Sequence, residues 1–541
     1  MPSASRAAIH SNVETHEAHA EVIAWARRQS LRPLRLLASV CLMVSTAVAI
    51  GWISQRMARP TRFDEDLALA KAPMKPEPWL PCFDPNAIES IDFEAVHAHL
   101  LPEWVIALHH DPYSVGSSRE QRRFDALIAE AGKDPNLALL LRRLRDRATL
   151  GVSLHALEIS QLLDGWNHTM QQAGLPWYVA YDSVESARGG RLYTRCYHVQ
   201  ADVLVPVGPQ THGVRLLSRV DSTNVAEAFF GQTSTEEQRA LVVGDRVAEF
   251  ALERLWPMME PQLDAKCSEM DRAFAPALRH EASQWLSDDT LESLRQGAML
   301  RHQLIERLQE IERKKGCGRW LAVDHVPWNG LSEKGRSIIA RAAQVNERKR
   351  CDRLTHKDAQ WLIGVSEALS SDEKLKDSLG QLAAWLARAV ASHEVRHLAD
   401  GVPGRVLTCD ACPEGMSERA KAEVSAYVAS FASKRTAFVA LYQACGVDVP
   451  VSHGSGDALR FVLGVLMPQG CESPPPNNLV EQARLLDWIL FKRVQPIEIT
   501  DTFPKSVPLP KERTPPSLGF ETVAQGQKRH SLRPAFPMRS L

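Results

Sequence analysis

The stretch LGQLAAWLARAVASHEVRHLADG, residues 379–401, constrains the fold of this 541-residue chain more than any other. Its residues Leu379, Leu382, Leu386, Val390, His393 and His397 step by 3, 4, 4, 3 and 4. That spacing is one continuous stripe on an α-helix, so a long helix must bury this face against a core. Gly401 and Pro403 then stop it. The two histidines lie at the C-terminal end of the stripe, four residues apart, where helical geometry makes them neighbours.

Length and composition bound the rest. A chain of 541 residues exceeds one ordinary domain and suits two or three. Hydrophobic residues make up 44% of it, as in a globular protein. Net charge is −1, and no basic domain, zinc-finger or P-loop pattern points to nucleic acid. One segment departs from a soluble composition. Leu36 to Ile53 holds 18 residues without a charge, and as a helix would span roughly 27 Å, a hydrocarbon core's thickness. Arg27, Arg28, Arg32 and Arg35 precede it, and Arg56, Arg59 and Arg62 follow. The bias favours a cytoplasmic N-terminus, a single-pass anchor and a main domain on the periplasmic or extracytoplasmic side. The alternative is a cleaved leader, since Ala47-Val48-Ala49 resembles a processing site, although the charged stretch before it is long for one.

The pattern along the chain divides it further. Residues 1–33 read as a cytoplasmic arm, 34–55 as the transmembrane anchor and 56–89 as a linker rich in proline and charge. Residues 90–265 read as a helical region interrupted at about 176–220 by a short antiparallel meander, with Gly189-Gly190 suited to a hairpin turn. Residues 266–495 are helical again, and 496–541 form a proline-rich tail with little to bury, expected to be disordered. The expected fold is mainly α with a small antiparallel β region, an α+β arrangement.

The chemistry centres on His393-Glu394-Val395-Arg396-His397. Two imidazoles four apart can meet one metal ion, while the glutamate one position on reaches the rim of that point as a base for water. Two core histidines, or a solvated helix end, would be the plain alternative. Arg396 reads as the solvent-facing position of the helix. Zinc needs a third protein ligand and an open position. Downstream, SERAKAEVSAYVASFASK begins with a capping serine, Ser417, and Glu418 in the first turn. Glu423 stands in its middle among Ala422, Ala426 and Ala429, small neighbours that let two helices approach. A carboxylate there is costly to bury without a cation, so Glu423 is the leading third ligand. Asp400, three residues after His397, competes as an alternative ligand or as a carboxylate orienting a histidine. Asp410 and Glu414 lie in the intervening loop.

Of ten cysteines, Cys41 lies in the apolar run and nine remain. Cys409-Asp410-Ala411-Cys412 could be a redox pair, half a structural zinc site or a disulfide. No second such motif exists, so a disulfide is favoured, within the motif or to a partner such as Cys445. His97, His99, His109, His110, His280 and His302 read as surface or core residues.

The helix bearing His-Glu-x-x-His, followed by a helix bearing Glu-x-x-Ala-Tyr, resembles the gluzincin class of zinc metallopeptidases over about residues 375–445. The resemblance implies a zincin-like helical core in the C-terminal half and a bound Zn²⁺. It makes His393, His397 and Glu423 ligands and Glu394 the general base, acting on a protein or peptide substrate. The family also uses a donor for the developing oxyanion, for which Tyr427 and His453 are candidates. Tyr427 reads equally well as core packing. A different class of function stays open: an envelope interaction protein whose zincin-like domain is structural and catalytically inactive. Neither an organic cofactor nor an oligomeric state is indicated.

Overall fold

In a computed structural model, the described residues are 85–110, 118–186, 189–221, 230–234, 238–260, 267–315, 326–344, 354–401, 407–446, 454–499 and 502–510. Those up to Leu509 belong to one compact unit. After short helical segments between Pro85 and Leu100 come four helices: α1 (Leu101–His110), α2 (Ser118–Ala131), α3 (Pro135–Gly151) and α4 (Ala156–Gln172). The Asp134 carboxylate caps α3 by accepting from the Asn136 and Leu137 amides, and Pro135 opens it where a missing N–H costs nothing. Leu127, Leu137, Leu141, Leu144, Leu163 and Trp166 close this layer over β1 (Trp177–Ser186) and β2 (Gly189–Val207).

The sheet continues through β3 (Gln210–Arg219), β4 (Gly231–Ser234) and β5 (Arg239–Val243), in the order β1-β2-β3-β5-β4. It is mixed, and larger than an antiparallel meander ending near 220. β3 and β5 run parallel, while the other three pairings are antiparallel. The extra strands follow from RALVV, a short apolar run that pairs with β3 over Gly213–Leu217. Ser186 pairs with Gly189 and Glu185 with Gly190, so the two glycines open β2 instead of forming the turn. A bulge between Val199 and Ala201 shifts the alternation of β2 by one. Val205 thereby faces the same helices as Val214, Leu216, Ala240 and Val242.

The remaining helices are α5 (Gly244–Phe250), α6 (Glu269–Ser283), α7 (Asp288–Lys315), α8 (Glu333–Gln344), α9 (His356–Ser371), α10 (Glu373–Asp400), α11 (Glu418–Phe431), α12 (Ala437–Gly446), α13 (Gly454–Leu466) and α14 (Leu479–Phe491). α10 is the axis of this part. Asp372 caps it, accepting from the Leu375 amide at 2.9 Å. The leucine stripe is buried, and so is most of the rest of its circumference, from Leu375 to Leu398. Sheet residues from before position 265 and helix residues from after it share that core.

Two expectations about the surroundings of α10 need correction. Arg396 does not face solvent. It is 4% exposed, with its guanidinium 3.6 Å from the Asp487 carboxylate of α14. The stretch after 495 does bury side chains: Ile497, Phe503 and Val507 are almost wholly enclosed. The Val507 amide donates to the Gly380 carbonyl at 2.9 Å, and the Arg388 guanidinium donates to the Phe503 and Pro504 carbonyls. Residues 502–509 are therefore a strap along α10. Among the described residues no helix is long and apolar enough to cross a membrane, and the run 36–53 lies outside them.

Candidate metal centre

The last turns of α10 and the middle of α11 bring three side chains together. Ser417 caps α11, accepting from the Ala420 amide at 3.2 Å, which sets its phase so that Glu423 faces α10. His393 Nε2 and His397 Nε2 are 3.3 Å apart. Glu423 Oε2 lies 3.5 Å from the first and 3.8 Å from the second. A triangle with these sides has a point about 2.1 Å from every corner, the bond length zinc makes to imidazole nitrogen and carboxylate oxygen. Among the described residues this is the one cluster of three metal-binding side chains. The three side chains are 17–18% exposed, so the centre reaches solvent near the C-terminal end of α10.

The electrostatics fit a cation. Burial disfavours the His393 imidazolium, but Glu423, hydrogen-bonded to it, and Glu394 together outweigh that and raise its pKa. His397 goes the other way: burial first, then the adjacent His393, hold it well below the usual histidine range. His397 is thus kept neutral, the form in which an imidazole binds a metal, while His393 is paired with the Glu423 carboxylate.

Glu394, on the same turn, is 8% exposed. Burial raises its pKa, against the opposing pull of His393 and Thr233. Thr233 Oγ1, on β4, donates to Glu394 Oε2 at 2.9 Å. Tyr427, one turn after Glu423, sets its ring edge-on to His393 with centroids 4.8 Å apart. Burial, with Glu423 and Glu394 nearby, keeps its phenol protonated well beyond neutral pH. His453 lies outside the described residues.

Asp400 orients neither histidine. Its carboxylate accepts from Ser425 Oγ at 2.6 Å and pairs with Arg493, tying the end of α10 to α11 and to the chain after α14. The intervening loop is closed by a Cys409–Cys412 disulfide, and the Asp410 amide donates to the Leu490 carbonyl at 3.0 Å. Cys445 pairs with Cys471 instead. Sequence reasoning missed Thr233 and the Arg396–Asp487 pair. Thr233 lies 161 residues from its partner, and no local spacing signals either contact. His97, by contrast, is a core histidine. Its Nδ1 hydrogen-bonds the Phe93 carbonyl, and its Nε2 accepts from Trp166 Nε1 at 3.1 Å. No family model, no curated protein and no solved structure matches the chain, so the reading of this centre rests on its own geometry.

Proposed function

We propose that this protein is a zinc-dependent metallopeptidase, held at a membrane by the apolar run 36–53 with its described part on the extracytoplasmic side. The observation that carries the reading is the triangle of His393, His397 and Glu423, matched in size to zinc. Two disulfides in the described part suit an oxidising compartment. Zinc in this position supplies Lewis acidity toward a water and a peptide carbonyl.

The chain's own groups do the rest. Glu394, beside the ligand turn and raised in pKa by burial, takes the proton from the attacking water and returns it to the leaving amine. Tyr427, whose ring lies against His393, keeps its phenolic proton and would donate it as a hydrogen bond to the developing oxyanion. β4 is the last strand in the order of the sheet, and its Thr233 touches Glu394.

Replacing Glu394 with Gln keeps size and hydrogen bonding but removes the base. The Glu394→Gln protein is expected to hold one zinc per chain and to lose peptide hydrolysis by at least about 100-fold. Turnover equal to wild type would refute the role of Glu394.

A further inference from the structure

The edge strand β4 contributes two residues to one side chain of the centre. Thr233 Oγ1 is 2.9 Å from Glu394 Oε2 and 3.2 Å from the Glu394 carbonyl oxygen. Gly231 lies two residues earlier, on the same face of the strand. A Cβ at position 231 would stand 2.7 Å from Glu394 Cγ, 2.8 Å from Glu394 Oε1 and 2.8 Å from Val390 Cγ1, closer than packed carbons come. The strand is held in place from behind. Gly231 pairs with Val242 and Thr233 with Ala240 of β5, which in turn pairs with β3. Glu394 is therefore wedged: bare backbone on one flank of its side chain, a hydroxyl on one of its two oxygens, and a sheet behind both.

We propose that Thr233 is a positioning residue for Glu394 and that Gly231 provides the space it occupies. A glutamate has three side-chain torsions, and a base must be held near its working geometry to within a fraction of an ångström. The Thr233 bond fixes the last of those torsions and with it the plane of the carboxylate. Both residues lie against Glu394, so the effect on the chemistry is carried by its side chain. The proposal rests on the metallopeptidase reading and adds to it the strand that aims the base.

The test uses the full chain with Thr233→Val, which removes the hydroxyl and keeps the shape, and Thr233→Ser, which keeps the hydroxyl. Zinc content, peptide hydrolysis and thermal midpoints are measured for both, each alone and combined with Glu394→Gln. Thr233→Val is expected to lower kcat by about 10- to 100-fold, with KM and zinc content near wild type. Thr233→Ser is expected to recover most of it, and Thr233→Val to add little to the loss in Glu394→Gln. Equal activity of Thr233→Val and wild type, or equal impairment of the Val and Ser variants, overturns the proposal. Wild-type protein that binds zinc but hydrolyses no peptide overturns the metallopeptidase reading instead. In that case the thermal midpoints still decide the contact: additive effects of Thr233→Val and Glu394→Gln mean that the two side chains are not coupled.

Discussion

At the scale of single residues, the fold handles its histidines in two opposite ways. His393 and His397 turn their Nε2 atoms toward each other and toward a carboxylate, leaving a gap the size of an ion. His97 spends both ring nitrogens inside the N-terminal layer, as a donor to Phe93 and an acceptor from Trp166, and stacks on Trp177 with centroids 4.8 Å apart. Burial strips the imidazolium of water and lowers the pKa of His97 from 6.5 to about 4, against the pull of its bond to the Phe93 carbonyl. The sign of the linkage follows. Below pH 6.5 the unfolded chain takes up a proton that the folded layer refuses, so stability falls between pH 6.5 and about 4 and levels below that. The loss at the bottom is up to about 3 kcal/mol. Urea unfolding followed by tryptophan fluorescence at pH 7 and pH 4.5 checks this. The wild type should lose more on acidification than His97→Gln, and equal losses would show that His97 does not carry the effect.

Among the elements, α10 is the one on which the others depend. It carries two of the proposed ligands, packs around most of its surface, and takes the 502–509 strap against Gly380 and Arg388. Gly380 is where the strap comes closest: a Cβ there would meet Ser506 Oγ at 2.2 Å and the Val507 carbonyl oxygen at 2.9 Å. Gly380→Ala is expected to cost about 1–3 kcal/mol, as overpacked cores do, and Ser506→Gly in the same chain to restore part of it. Paired thermal melts measure both, and a neutral Gly380→Ala would mean that the strap yields freely. The helix itself was legible in the sequence because its signal is local: a stripe, a cap and a glycine stop. The partner helix was legible through Ser417 and an isolated glutamate. What surrounds them was not. Arg396 reads as solvent-facing until Asp487, 91 positions on, is placed opposite it. The strap looks like tail because two apolar side chains, Phe503 and Val507, anchor a stretch otherwise rich in proline and charge. The parallel pairing of β3 with β5 is set by packing against α10, which no strand-length pattern encodes.

For the molecule as a whole, the sheet and the C-terminal helices share one core, and the two disulfides lie within the part that holds α11 to α14. Cys445–Cys471 closes a loop with a sequence separation of 26 between the end of α12 and the turn before α14. Replacing both with alanine is expected to cost about 3.5 kcal/mol by the loop-entropy relation, read as a lower denaturant midpoint. No change would mean that the bridge is absent from the protein in solution. The proposed activity requires three side chains from α10 and α11, His393, His397 and Glu423, to hold one divalent ion. The most direct measurement is elemental analysis of purified wild-type protein beside His393→Ala and Glu423→Ala, each confirmed as folded by circular dichroism. One zinc per chain in the wild type, lost from both variants, is the expected result. A wild type that purifies without metal and takes up none from added zinc, or variants that keep a full equivalent, would contradict it.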